Sequence, residues 1–211
     1  MGRLVNGING PIVGTVGTVV GSSRNGKPYL KSKYKKRTKK VTKTELGNRG
    51  KFALAQAWLK PLLYFVQEGY LKYKKTSGAF VAAKSYLLLH AMEGVQPDIR
   101  INPALMKVSV GDLPLSNDMA VAKTTGGRLE FTWDTATVEG GSRYDQVMLL
   151  AYDIEKGYAD YKTTGQFRST GSDILEIDAS AAERTYHLYM AFTAADRSRQ
   201  SDSVYMGTIV I

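Results

Sequence analysis

Cysteine is absent from the 211 residues and histidine occurs only twice, as His90 and His187. Without thiols there is no disulfide framework, thiolate nucleophile or zinc-thiolate site, and two imidazoles cannot build a multi-His metal centre. No cofactor is expected. Long apolar runs are missing too. Val147 to Ala151 and Tyr86 to Leu89 fall far short of the roughly 20 residues a bilayer-spanning helix needs, so no membrane span is expected. After Arg3 the chain is punctuated by glycine and offers no apolar signal core. No secretory signal is read, which leaves the compartment unknown and is compatible with cytoplasmic synthesis and incorporation into a particle. No Gly-x-x-x-x-Gly-Lys-Ser/Thr run leads into a helix, so the glycines do not form a nucleotide loop.

What is present is an ordinary globular balance, 43% hydrophobic and 23% charged, with 21 glycines, 13 tyrosines and a net charge of +10. The charge is uneven. Residues 1–100 carry 19 Lys+Arg against four acids, a net +15, and residues 101–211 carry 10 against 15, a net −5. A chain with ends of opposite sign can hold a polyanion at one end or pack head to tail with its own copies.

Three parts are expected along the chain: a glycine- and lysine-rich β arm over 1–41, a helical hairpin over 42–96 and a β-sandwich over 97–211. In the arm, Pro11-Ile-Val-Gly-Thr-Val-Gly-Thr-Val-Val-Gly21 is β-prone but poor in bulk, and Gly14, Gly17 and Gly21 weaken a strand unless another backbone comes close. Asn25-Gly26 between two β-compatible runs predicts a hairpin near 18–31. Lys31, Lys33, Tyr34, Lys35, Lys36, Arg37, Lys39 and Lys40 form the densest basic run.

Thr42-Lys43-Thr44-Glu45 matches a capping box and predicts a helix start. Phe52, Ala55, Leu59, Leu62 and Val66 then recur at helical spacing, with Trp58 and Leu63 widening the stripe and Pro61 ending or kinking it. A second helix is expected over Ser77 to Met92, with Phe80, Ala83, Leu87 and His90 or Ala91 on its apolar face. Beyond Pro97 and Pro103 the period changes to two. Strands are expected at 107–110, 120–123, 128–134, 146–153, 158–163, 174–177, 185–194 and 204–211, giving an α+β protein whose second half is a β-sandwich.

Leu129-Glu-Phe-Thr-Trp133, Tyr144-Asp-Gln-Val-Met-Leu-Leu-Ala-Tyr152 and Thr185-Tyr-His-Leu-Tyr-Met-Ala-Phe-Thr193 together resemble strands B, C and F of a fibronectin type III or related immunoglobulin-like domain. The resemblance covers about half the chain. It implies an antiparallel sandwich with Trp133 and Phe131 in the core and Tyr186 as its corner tyrosine, and it implies no activity. Gly14-Thr-Val-Gly-Thr-Val-Val-Gly21, Arg37-Thr38 and Arg49-Gly-Lys-Phe-Ala-Leu-Ala55 are similar to an uncharacterised family of small basic bacteroidete proteins, which likewise implies no chemistry.

No catalytic constellation stands out. His90 falls on the expected apolar helix face, His187 is expected at solvent or the sheet rim, and the carboxylates of the second half sit mostly in turns, where they serve solubility and turn formation. An enzyme is not expected. Two readings remain. In the first, the chain is a structural subunit of a virion, tail or filament that joins copies of itself through its arm, with Val13, Val16, Val19, Gly14, Gly17 and Gly21 as assembly residues. The alternative partner is nucleic acid, bound without sequence preference by Lys31, Lys33, Tyr34, Lys35, Lys36, Arg37, Lys39 and Lys40.

Overall fold

The structure is a computed structural model that describes residues 2–7, 10–24, 26–94, 98–136, 138–177 and 183–211. Helices and antiparallel sheets are both present, so the protein is α+β. The chain divides into two compact units, Met1–Thr42 and Lys43–Ile211.

The first unit is a four-stranded antiparallel sheet in sequential order: β1 (Arg3–Leu4), β2 (Ile12–Val16), β3 (Val19–Arg24) and β4 (Lys27–Ser32). Gly17 and Gly26 adopt φ of 56° and 76° at the two tight turns, the left-handed backbone such turns demand. Asn25, expected to share the second turn, lies outside the described residues.

In the second unit, α1 (Lys43–Leu59) begins directly after Thr42 and has Glu45 in its first turn, where the carboxylate accepts from Arg49 at 2.7 Å. Pro61 separates it from α2 (Leu63–Gly69). The next helix is shorter than expected: α3 (Ala79–Tyr86) gives way to a π-helical turn over Leu87–Ala91. Ala83, Leu87 and Ala91 are buried, while His90 is exposed and rests its ring on Tyr86 at 4.6 Å, so the expected apolar position belongs to Ala91. Phe52 is likewise not in the core; it is 56% exposed, and the buried apolar side chains of α1 are Ala55, Trp58 and Leu59. The hairpin β5 (Met92–Glu93) and β6 (Arg100–Ile101) follows; the expected boundary residue Pro97 lies outside the described residues.

Seven further strands are β7 (Ala120–Thr124), β8 (Arg128–Thr132), β9 (Gln146–Asp153), β10 (Tyr158–Lys162), β11 (Ser172–Glu176), β12 (Thr185–Thr193) and β13 (Val204–Val210). They make two antiparallel sheets, of order β10-β9-β12-β13 and β11-β8-β7. The strand expected at 107–110 does not form. Its backbone is occupied elsewhere: Val108 N–H donates to Ser203 Oγ at 2.9 Å and Val110 N–H to Gly69 O at 3.0 Å.

Two cores lie on opposite faces of β9 and β12. Val147, Leu149 and Ala151 pack with Leu188, Met190 and Phe192 against Leu129, Phe131, Trp133 and Leu175 of the other sheet side, and Tyr186 is buried in the same cluster. The intervening Met148, Leu150, Tyr152, Tyr189 and Ala191 pack against Trp58, Leu59, Phe65, Ala83 and Leu87 of the helices. Strict alternation along an extended strand sends neighbours to opposite faces, so covering both faces turns an alternating pattern into a continuous apolar run. The expected helical and sheet parts therefore share a core.

Three buried tyrosines fasten these layers through hydroxyl donors. Tyr152 donates to Trp58 O at 2.8 Å, Tyr189 to Pro103 O at 2.8 Å and Tyr70 to Lys107 O at 2.7 Å. Burial pushes the Tyr152 hydroxyl up to about 12, so it stays a donor throughout the ordinary pH range.

Candidate interaction surface

The arm sheet is built without a core. Among the described residues every buried large hydrophobic lies beyond position 54, whereas Leu4, Val13, Val16, Val19, Tyr29 and Leu30 of β1 to β4 are all exposed. The glycines explain part of this. Gly14 adopts φ of 101°, and a Cβ on Gly21 would fall 1.9 Å from Ile12 O, so β2 folds over the bare backbone of β3 at a point where any side chain would clash.

The register sorts the remaining side chains by face, because residues directly opposite in an antiparallel pair point the same way. Gly14 pairs with Gly21 and Gly21 with Leu30; Val16 pairs with Val19 and Val19 with Ser32; Ser23 pairs with Pro28. One face thus carries Val16, Val19, Pro28 and Leu30 around two glycines. The opposite face carries Thr15, Val20 and Lys31, then Ser22 and Tyr29, then Arg24 and Lys27. The sheet is apolar on one side, and basic and aromatic on the other.

Among the described residues no strand pairs with the outer edge of its last strand. Lys33 N–H donates to Thr18 O at 2.7 Å, so by alternation the N–H groups of Leu30 and Ser32 point away from β3. β4 ends the sheet and is exposed along its whole length. The basic residues Lys31 to Lys40 follow, exposed and without regular structure beyond Ser32. Arg37 turns part of its guanidinium onto its own chain, donating to Lys39 O at 2.8 Å and Lys40 O at 3.1 Å.

Dividing charge at the structural boundary sharpens the picture. Residues 1–42 hold ten basic and no acidic side chains, and residues 43–211 hold 19 of each. The whole net charge belongs to the arm, and the unit after it is neutral.

The second unit has guarded edges. Lys162 on the end strand β10 donates across to Ile174 O of β11 at 2.6 Å and pairs with Asp173 at 3.1 Å. On the other side Lys123, on the end strand β7, donates to Val210 O of β13 at 3.0 Å. Each open side of the two-sheet body is therefore crossed by a lysine that occupies an edge carbonyl, a known way to deter strand addition. The cleft of about 700 Å³ between β10 and β11 is lined by Arg128, Glu130, Asp160, Lys162, Asp173 and Glu176. Asp173 also accepts from the backbone of Gln166 at 2.9 Å and of Ile174 at 2.8 Å, and Arg128 holds Glu176 at 3.1 Å. Asp173 and Glu176 are thus engaged in contacts within the cleft wall.

His187 is half-buried rather than at the rim, with Nδ1 2.9 Å from the Tyr205 hydroxyl; burial lowers its pKa. Arg168 gave no signal in the sequence, yet it is fully buried. Its guanidinium reaches Ser116 Oγ and Pro114 O, each at 2.7 Å, and Asp145 at 3.3 Å, stacks over Phe192, and its own carbonyl accepts from Trp133 Nε1 at 2.8 Å. A lone arginine between turns looks solvated in sequence; only the closed end of the two sheets gives it partners. No group of three or more His, Asp or Glu residues that could hold a metal ion occurs among the described residues, and no helix there is long and apolar enough to cross a membrane.

Residues 11–207 match the model of a family of unknown function, DUF6266. The chain belongs to that family. No curated protein and no solved structure matches it.

Proposed function

We propose that this family member is a non-enzymatic structural subunit, of a virion, tail or filament, that self-associates through residues 1–41 and displays an immunoglobulin-like sandwich. The observation that carries the reading is the coreless arm sheet, whose apolar face and final edge are both uncovered while the edges of the second unit are latched. A small sheet needs an apolar face packed on something to be stable, and a second molecule can supply it. The sandwich part rests on the strand orders β10-β9-β12-β13 and β11-β8-β7, which correspond to C′-C-F-G and E-B-A of a fibronectin type III domain, and on buried Trp133, Phe131 and Tyr186.

Light scattering and negative-stain microscopy of the full chain against a chain lacking 1–41 test this. Concentration-dependent assembly only in the full chain is expected; monodisperse monomers in both would sink the reading. A second reading, nucleic-acid binding, is favoured by the segregation of Arg24, Lys27, Tyr29 and Lys31 onto one face beside the exposed basic run. Its mark is affinity for single-stranded DNA or RNA that falls steeply with salt and is lost when Lys35, Lys36, Arg37, Lys39 and Lys40 become Ser.

A further inference from the structure

The arm offers three ways to meet another copy, and charge separates them. Pairing β4 edge to edge with its own symmetry mate about Tyr29 would set Lys27 opposite Lys31 twice, and like charges directly opposite destabilise a strand pair. Docking the basic arm head to tail on residues 43–211 meets a unit with no net opposite charge, its acids and bases being equal in number. The apolar face has neither problem. Burying it keeps Arg24, Lys27 and Lys31 on the outer side, away from one another.

The shape of that face suits its own copy. Leu30 is 60% exposed and stands as a ridge between two hollows, one of about 700 Å³ lined by Thr18, Val19, Ser32 and Tyr34, the other of about 380 Å³ lined by Pro11, Ile12 and Pro28. Beside it the backbone of Ile12 lies over Gly21 and walls the smaller hollow. A ridge and a hollow on one surface fit a two-fold partner, since each copy presents both. Lys33 and Lys35 line the rim of the larger hollow and can keep their ammonium groups in water while their stems cover apolar surface.

Resting on the self-association reading above, we infer that the first contact is an isologous dimer in which the apolar faces of two arms, Val16, Val19 and Leu30, pack on each other with Leu30 entering the partner's Val19–Tyr34 hollow. The basic faces then lie on the outside of the pair, and the free β4 edges remain for further growth or for a polyanion.

The absence of cysteine makes the test clean. In the full-length protein, Ser32→Cys lies beside Leu30 on the apolar face and Lys27→Cys on the basic face. Mild oxidation of dilute protein is expected to give a disulfide dimer from S32C and none from K27C. Leu30→Asp, at a position too exposed to matter for folding, is expected to weaken association about a hundredfold or more in light scattering, with an unchanged circular dichroism spectrum. Self-association that survives L30D, or that cross-links through K27C and not S32C, overturns this geometry and leaves the assembly reading standing. A wild-type chain that is monomeric at all concentrations overturns the assembly reading itself.

Discussion

The two units solve the same problem, an open β-sheet, in opposite ways. In residues 43–211 β9 and β12 are buried between the helices and the second sheet, and the end strands β10 and β7 are tied to the facing sheet by Lys162 and Lys123. Among the described residues of 1–42 no large hydrophobic is buried, the sheet has an apolar face, and its last strand is exposed throughout. A protein that can guard its edges, and does so twice in one unit, leaves them open in the other. The difference teaches that openness here is a local property of the arm, which also carries all of the net charge.

The strongest way to break this comparison is to make a cavity in each unit. Trp133 is buried, meets Phe192 edge-on at 5.7 Å and donates to Arg168 O, so Trp133→Ala should cost about 3–5 kcal/mol in urea denaturation, through lost contacts and an empty volume. Val13→Ala in the arm should change the stability of the same transition by less than about 0.5 kcal/mol. If the two values come out alike, the arm is part of the same cooperative core and the contrast fails.

How far the sequence reveals this contrast depends on how local each cause is. The boundaries of β9 are legible to the residue, because Gln146-Val-Met-Leu-Leu-Ala-Tyr-Asp153 is bounded by turn residues and filled by apolar ones. The layer above it is not read from the same run, although an unbroken apolar strand signals cover on both faces. Helical spacing leaves His90 or Ala91 open as the last apolar position of the second helix, and only the packing decides for Ala91, four residues beyond Leu87. Arg168 and the two lysine latches depend on partners 52, 12 and 87 positions away in the chain. The charge split of +15 against −5 at residue 100 becomes +10 against zero at the boundary of the compact units after residue 42. The argument for head-to-tail docking weakens with it.

A smaller effect separates the units by pH. Burial lowers the pKa of His187, with Asp153 offsetting part of the shift, so the folded protein favours the neutral ring. Below the ordinary value of 6.5 the unfolded chain takes up a proton that the folded chain resists. The stability this group contributes is therefore complete above that pH and is lost as pH falls toward the folded pKa. Urea midpoints for residues 43–211 should fall between pH 8 and pH 5, and His187→Gln should flatten the drop. The arm, which contains no histidine and no acid, should keep its association over the same range. An unchanged slope in the variant would remove His187 from this account.

The latches should contribute little to stability, and they sharpen the comparison most. Lys123 is exposed, so replacing it by Ala should cost under about 1 kcal/mol, whereas Lys162→Ala leaves the buried Asp173 carboxylate only its backbone donors and should cost somewhat more. Their effect on association should be larger than their effect on folding. In a Leu30→Asp background, where the arm face is disabled, Lys123→Ala with Lys162→Ala frees the carbonyls of Val210 and Ile174 on two edges. Concentration-dependent association that is absent from Leu30→Asp alone is expected, and Lys→Arg at both sites should suppress it by restoring a donor across each gap. If the double alanine variant stays as monodisperse as its parent, twist and short strand length guard those edges without the lysines, and the contrast between the units rests on the bare arm alone.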